Sequence, residues 1–237
     1  MQVLKQLAIR NRILRALPEE EFGRIAPHLS PVNFEETDDF IYVSKNPIDY
    51  VYLIESGLVS LLSTTETGSS IEVAMCGKEG IVGLPVILKN STIPYDATVR
   101  FRVEAFKIAA EVFQEEFDKG QSLHEMVLRY LNLMITQISQ SSICNRFHTI
   151  EETLSRWLLT VQDQINSNTF YLTQQVIAGA LGVPRTGVTV AAGSLQNAGA
   201  IRYSRGKIVI LDRVRLESHS CECYRITREE LDHFLNE

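Results

Sequence analysis

Between Asn168 and Leu216 the chain carries Arg185, Arg202, Arg205, Lys207, Arg213 and Arg215 against a single anion, Asp212, a local net of +5 in a 237-residue chain of formal net charge −6. Cations gathered in this way suit a polyanion, and an acidic remainder of about −11 favours one oriented binding face over general adhesion. The same stretch has the pattern of a helix-turn-helix. Thr173 can cap a first helix, Gly182 gives a tight turn its backbone freedom, and a second helix runs from Arg185 to about Asn197. Ile177, Ala178 and Leu181 before the glycine, and Val183, Val188, Ala191 and Leu195 after it, fall where two crossed helices bury each other. In such a motif the second helix lies in the DNA major groove and the first crosses the backbone. An ordinary helical hairpin shares the glycine and the spacing, and the following segment favours the first reading. Ala200 to Leu211 alternates apolar with polar or basic residues across Ser204-Arg205-Gly206-Lys207, a two-stranded wing. Arg185, opening the groove helix, is expected to read a base, while Arg205 and Lys207 in the wing turn meet phosphate.

The rest of the chain must hold that face. Its 45% hydrophobic content can supply one sizeable core and a second smaller one. The start MQVLKQLAIRNRIL lacks a cleavage-site pattern, and no apolar run approaches the roughly 20 residues that span a bilayer. A soluble cytoplasmic protein with no membrane partner is expected. Asn11 to Leu29 reads as short helices, with Pro18 and Glu19 to Glu21 as a helix first turn. Seven acids between Pro18 and Phe40 face only Arg24, which suggests a solvated face.

From Val32 to about Ile108 short β-type runs (FIYVS, YVYLIESGLVSLLS, SSIEVAMC, GIVGLPVIL, ATVRFRVEAFKI) are separated by turns at Lys45-Asn46-Pro47, Glu55-Ser56-Gly57, Thr65 to Ser69 and Lys89 to Pro94. This predicts a jelly-roll β-barrel with a small pocket. Ala109 to Asn145 turns helical. There Val127, Leu131, Met134, Ile138 and Ser141, with His124 in phase, recur at the four-and-three spacing of a coiled-coil seam. A lone helix could bury that stripe on its own barrel. The preferred reading is a two-fold homodimer, which supplies two recognition helices to a pseudo-palindromic site. His148 to Asn166 is a further amphipathic helix with a Thr149/Glu152 capping box and an apolar face of Trp157, Leu158 and Val161. Ser167-Asn168 breaks it from the helix-turn-helix. The fold class is α+β, divided as a β-roll over 1–120, a dimerisation helix over 121–147 and a winged helix-turn-helix over 148–237.

The four cysteines, Cys76, Cys144, Cys221 and Cys223, do not form a disulfide framework in a chain of this kind. Cys221 and Cys223 could ligate a metal or sense redox, but they are one residue apart, closer than the usual zinc-ligand spacing, which favours a structural or incidental role; His28, His124, His148, His219 and His233 show no ligand spacing with each other. No metal and no cofactor are expected. No nucleophile, base and orienting group converge, and no glycine-rich phosphate loop appears, so neither is an enzyme.

The order β-roll, long helix, short helix, winged helix-turn-helix resembles the Crp/Fnr family of bacterial transcription regulators along nearly the whole chain. Tyr52 to Val59, Gly80 to Gly83 and Leu172 to Leu211 carry the resemblance, and the terminal CECYRITREELDHF looks like the tail of a poorly characterised subgroup. The resemblance implies a sequence-specific DNA-binding regulator with double-stranded DNA, a second copy and RNA polymerase as partners. A small-ligand or cyclic-nucleotide module acting through protein contacts is the alternative. Thr173, Gln174 and Gln175 match positions that hold phosphate. Where the family reads bases with Arg, Glu and Arg, this chain has Arg185, Thr186 and Val190. Arg185 can still grip guanine, while Thr186, Thr189 or Val190 can pack on a thymine methyl. No cysteine precedes Cys76, so an N-terminal iron–sulfur cluster is not expected, and without a second ligand beside Cys76 neither is haem. Cyclic-nucleotide-binding relatives place a Glu and then an Arg in the effector pocket, at positions occupied here by Leu84 and Tyr95. Arg100 and Arg102, nearby on one strand face, need not point inward. Cyclic AMP binding is therefore not expected, and the pocket should prefer a neutral or apolar ligand, or none.

Overall fold

Two long strands carry the N-terminal sheet in the computed structural model, which describes residues 6–35 and 39–236. Helices α1 (Arg12–Ala16) and α2 (Glu19–Ile25) lead into β1 (Ser30–Phe34), β2 (Phe40–Tyr42), β3 (Tyr50–Thr64), β4 (Ser70–Cys76), β5 (Ile81–Val82) and β6 (Asp96–Ala109). The strand order is β1-β6-β3-β4, with β2 paired to β6 and β5 to β3. Among the described residues this sheet is jelly-roll-like, as expected, though it does not close into a barrel. Nor are all its strands short. Glu55-Ser56-Gly57, expected as a turn, lies inside β3, where Gly57 takes φ 89° and a Cβ would stand 1.9 Å from the Arg102 carbonyl oxygen. The strand thus bends there without ending. Conversely, the run GIVGLPVIL is strand only over β5. Pro85 has no N–H for a ladder, and Leu84–Leu88 forms a 3-10 helix.

The chain divides into two compact units, Met1–Leu61 with Met75–Ile135 and Phe234–Glu237, and Leu62–Ala74 with Thr136–His233. In the first, Ile13, Leu14, Phe22 and Ile25 of the short helices are buried with Leu53, Ile54, Leu58 and Val59 of β3. The buried amide of Asn11 accepts from the Leu14 N–H, capping α1, and donates to the carbonyls of Ile54 and Gly80. Glu21 is buried too, contrary to the solvated face expected of its acidic run. Its oxygens accept the N–H groups of Ser122 and Leu123, at 3.1 and 3.0 Å, and so cap a helix 101 residues further on. Burial works against its charge, but hydrogen bonds from Leu123 and Ser122, together with Arg24, hold the carboxyl below its ordinary value. Glu36 and Asp38 of the same run lie outside the described residues.

After α3 (Ala110–Asp118) comes α4 (Ser122–Phe147). It bears two apolar stripes. Leu123, Val127, Tyr130, Met134, Ser141 and Cys144 are buried within the chain, while Leu128, Ile135 and Ile138 are exposed and Leu131 half-buried. The proposed seam mixed the two: Val127 and Met134 face inward, and only Leu131 and Ile138 belong to the outer stripe. Both stripes follow four-and-three spacing, so the period alone could not separate them. His124 is engaged locally, its ring stacked on Phe117 at 4.3 Å.

The second unit continues with α5 (Ile150–Ile165), β7 (Thr169–Tyr171), α6 (Gln174–Leu181), α7 (Arg185–Asn197), β8 (Ile201–Ser204), β9 (Lys207–Ile210), α8 (Arg213–Ser218) and α9 (Glu222–Asn236). The Thr149/Glu152 capping box at α5 is formed in both directions. Trp157, wholly buried, donates through Nε1 to Glu72 of the β3–β4 hairpin at 2.7 Å, which gives that buried carboxylate a partner. Asp163 on α5 pairs with Arg213 and Arg228, each at 2.9 Å, and accepts from the Tyr224 hydroxyl, tying α8 and α9 to α5.

Candidate nucleic-acid interface

Thr173 accepts the Val176 N–H and starts α6, and Gly182 ends it with φ 64°. A Cβ at Gly182 would lie 2.9 Å from Ile71, so the glycine serves both the left-handed turn and the close approach of the hairpin. Helices α6 and α7 cross at 107°, within the range of a helix-turn-helix. Ile177, Ala178 and Leu181 are buried against Val188, Ala191 and Leu195, as their spacing predicts. That leaves Arg185, Thr186, Thr189 and Val190 on the opposite, exposed side of α7, with Val190 at 74% exposure. An exposed valine beside cations is an unusual surface for water and a serviceable one for a thymine methyl.

The wing is the hairpin predicted, with one addition. Arg205 (φ 49°) and Gly206 (φ 81°) form its turn, the two positive values a tight two-residue hairpin needs. Strand β7 pairs with β9 to complete a three-stranded sheet in the order β7-β9-β8; at three residues it gave no periodic signal. Lys207 lies over the Tyr171 ring at 5.9 Å. Gln174 joins the two helices: its Oε1 accepts from Thr189 Oγ1 at 2.9 Å and from Arg185 Nε at 3.4 Å. Between helix and wing, Thr173, Gln174, Arg185, Tyr203, Arg205 and Gly206 line an open cleft of about 380 Å³. Gln175 is exposed at the start of α6. Two of the six cations are engaged within the chain. Arg213 binds Asp163, Gln162 and Glu217, and Arg215 binds Asp212 and the Ala198 carbonyl. Among the described residues no ion pair engages Arg185, Arg202, Arg205 or Lys207, so four cations of this segment keep their charge uncompensated.

In the first unit, Leu84 is buried at the start of the 3-10 helix, and Tyr95 is half-buried just before β6. Burial, with Cys76 nearby, pushes the Tyr95 phenol up. Arg100 is buried and donates to Ser60 Oγ at 3.0 Å, whereas Arg102 is exposed and pairs with Glu35 and Glu104. Their shared strand face does not give them a shared environment, because β6 changes partner between them, from β2 at Thr98 to β1 at Val103.

Sequence reading did not anticipate a second cluster. The thiols of Cys144, Cys221 and Cys223 and a ring nitrogen of His148 all lie within 4.8 Å of one another. Cys144 and His148 are four residues apart, which is one face of a helix, but their partners lie more than 70 residues away. The Cys221 contact draws the Cys144 thiol below its ordinary value, while burial and Cys221 push Cys223 up to about 11.

No single helix among the described residues is long and apolar enough to cross a membrane. Residues 33–119 match the model of the cyclic nucleotide-binding domain and residues 152–219 that of the Crp-like helix-turn-helix domain, more than half of the chain between them. The global nitrogen regulator of Synechococcus elongatus is 25% identical over 89% of this chain and 97% of its own. Among solved structures, a putative Crp/Fnr-family transcriptional regulator from Eubacterium rectale superposes with a TM-score of 0.71 at 18% identity, covering 90% of this chain and 97% of that one. FixK2 from Bradyrhizobium japonicum does so with a TM-score of 0.70 at 16% identity, covering 81% and 98%.

Proposed function

The chain belongs to the Crp/Fnr family of transcription regulators, and we propose that it acts as a homodimer which reads a pseudo-palindromic DNA site with its paired α7 helices. The observation that carries this reading is the exposed α7 face, Arg185 with Thr186, Thr189 and Val190, set beside the basic wing turn. Arg185 takes the base contact, the threonine and valine methyls pack on thymine, and Arg205 and Lys207 meet phosphate with Thr173, Gln174 and Gln175. Two-fold symmetry is supported by the outer stripe of α4, whose Leu128, Leu131, Ile135 and Ile138 present a seven-residue repeat to a like helix. A dimer sets two α7 helices on half-sites about 34 Å apart. The protein works in the cytoplasm, with RNA polymerase as its further partner and no catalytic role.

Its N-terminal domain, in this reading, does not bind cyclic AMP in the manner of cyclic-nucleotide-binding relatives. Leu84 cannot accept a ribose hydroxyl, and Tyr95 brings no positive charge to a cyclic phosphate. Selection of bound sequences from random DNA tests the central claim. An enriched two-fold motif whose half-sites include a guanine supports it; no enrichment, with binding governed by salt alone, overturns it. Calorimetry with millimolar cyclic AMP and cyclic GMP tests the second claim. Micromolar binding that is lost on changing Arg100 or Arg102 overturns it.

A further inference from the structure

The end of α4 and the start of α9 converge on a pocket of soft ligands. Cys144 and His148 lie one helical turn apart, and Cys221 and Cys223 bracket the first residue of α9. All three thiols are buried, and all are free cysteines. Cys144 Sγ is 3.3 Å from Cys221 Sγ, and Cys223 Sγ is 3.7 Å from His148 Nδ1. Zinc–sulfur bonds of about 2.3 Å and zinc–nitrogen bonds of about 2.0 Å put tetrahedral edges at about 3.5 to 3.8 Å. The largest separation here, 4.8 Å, is about one ångström from that geometry.

We propose that Cys144, His148, Cys221 and Cys223 form a structural Cys3His site that binds one zinc ion and clamps the end of α4 to the C-terminal helix. Surrounding groups fit a metal centre. The other ring nitrogen of His148, Nε2, faces the Glu222 carboxylate at 3.4 Å; a carboxylate in that place orients a ligating imidazole and makes it a stronger donor. Three thiolates and one zinc ion carry a net negative charge. Arg156 on α5 acts on both Cys144 and Cys223, and its buried Nε has no hydrogen-bond partner among the described residues. The start of α9 adds the positive end of a helix dipole beside Cys221 and Cys223. Four protein ligands leave no open position, which makes the site structural, and three sulfurs select a soft or borderline ion over magnesium or calcium. None of the four ligands is among the residues assigned to DNA, so the site does not depend on how DNA is read.

The test uses the full chain, expressed with added zinc and purified under reducing conditions without chelator. Elemental analysis should find about one zinc per chain, reduced to background in Cys223→Ser and in His148→Ala and retained in Cys76→Ser, whose thiol lies in the other unit. Should the site variants fail to fold, titration of the wild-type thiols with a mercurial reagent should release zinc to a colorimetric chelator in step with thiol modification. Cobalt(II) in place of zinc should give the intense visible absorption of tetrahedral thiolate coordination. Several results would overturn the assignment: zinc at background in the wild type, zinc retained in both site variants, iron with acid-labile sulfide, or an intact mass two hydrogens lighter with Cys144 and Cys221 joined as a disulfide.

Discussion

Helix α7 has one apolar side and α4 has two. On α7, Val188, Ala191, Ala192 and Leu195 are buried, and the remaining surface is open to a polar ligand. On α4, an inner stripe from Leu123 to Cys144 is buried within the chain, and an outer stripe of Leu128, Ile135 and Ile138, with half-buried Leu131, is left largely uncovered. A helix with a single apolar side needs one protein partner and can offer the other side to DNA. One with two needs a second protein surface, and a repeat of seven residues is matched most simply by a copy of itself. In the proposed reading the two helices divide the work of a dimeric regulator between recognition and assembly.

The largest expected effect separates the two stripes of α4. Val127→Asp buries an unpaired charge in the inner stripe and should cost more than about 4 kcal/mol, leaving little folded protein. Leu131→Asp with Ile138→Asp should leave the circular dichroism spectrum intact and halve the sedimenting mass. If the outer pair unfolds the chain, or the dimer survives it, the assignment of faces is wrong.

This ambiguity also explains what could be read in the residues beforehand. The helix-turn-helix and wing were legible because their signals are local: Thr173, Gly182 and the Arg205-Gly206 turn fix the phase of each element within a few residues. The seam was legible as a period but not as a phase. Val127 and Met134 follow the same spacing as Leu131 and Ile138, and the fold alone decides which pair faces in. Glu21, the Asp163 network and the Cys144/His148/Cys221/Cys223 cluster join residues about 50 to 100 positions apart, so no short-range pattern marks them. Strand β7 was missed for the opposite reason, being too short to show any alternation.

A smaller effect sharpens the reading of α7. Arg185→Ala should relax selection at one position of each half-site, at about 1 to 3 kcal/mol, without changing thermal stability. Lys207→Ala should weaken all sequences alike and reduce the slope of log affinity against log salt by about one. Competition against variant half-sites at two salt concentrations distinguishes them; matching profiles would remove the division between helix and wing.

The smallest effect compares the two N-termini. That of α4 receives the Glu21 carboxylate, whereas α7 begins after Pro184, with no side-chain cap and no acid in its first turn. A negative charge near either N-terminus stabilises the helix. In the proposed reading α7 leaves that place to DNA, so Thr186→Glu should raise stability by about 0.5 kcal/mol while weakening DNA binding. On α4 the charge is built in, and its contribution must depend on pH. The Glu21 carboxyl is held below its ordinary value in the folded chain, so it binds its proton more readily when unfolded. Its stabilisation is therefore fully present above the unfolded pKa of about 4.3 and is lost as pH falls through the lower folded value. Glu21→Gln keeps one acceptor and removes the charge. Urea melts should show it less stable than wild type by about 1 kcal/mol at neutral pH, with the gap closing in acid below the folded pKa. A gap that stays constant with pH would mean that Glu21 serves α4 as a neutral hydrogen-bond acceptor and that its charge contributes nothing.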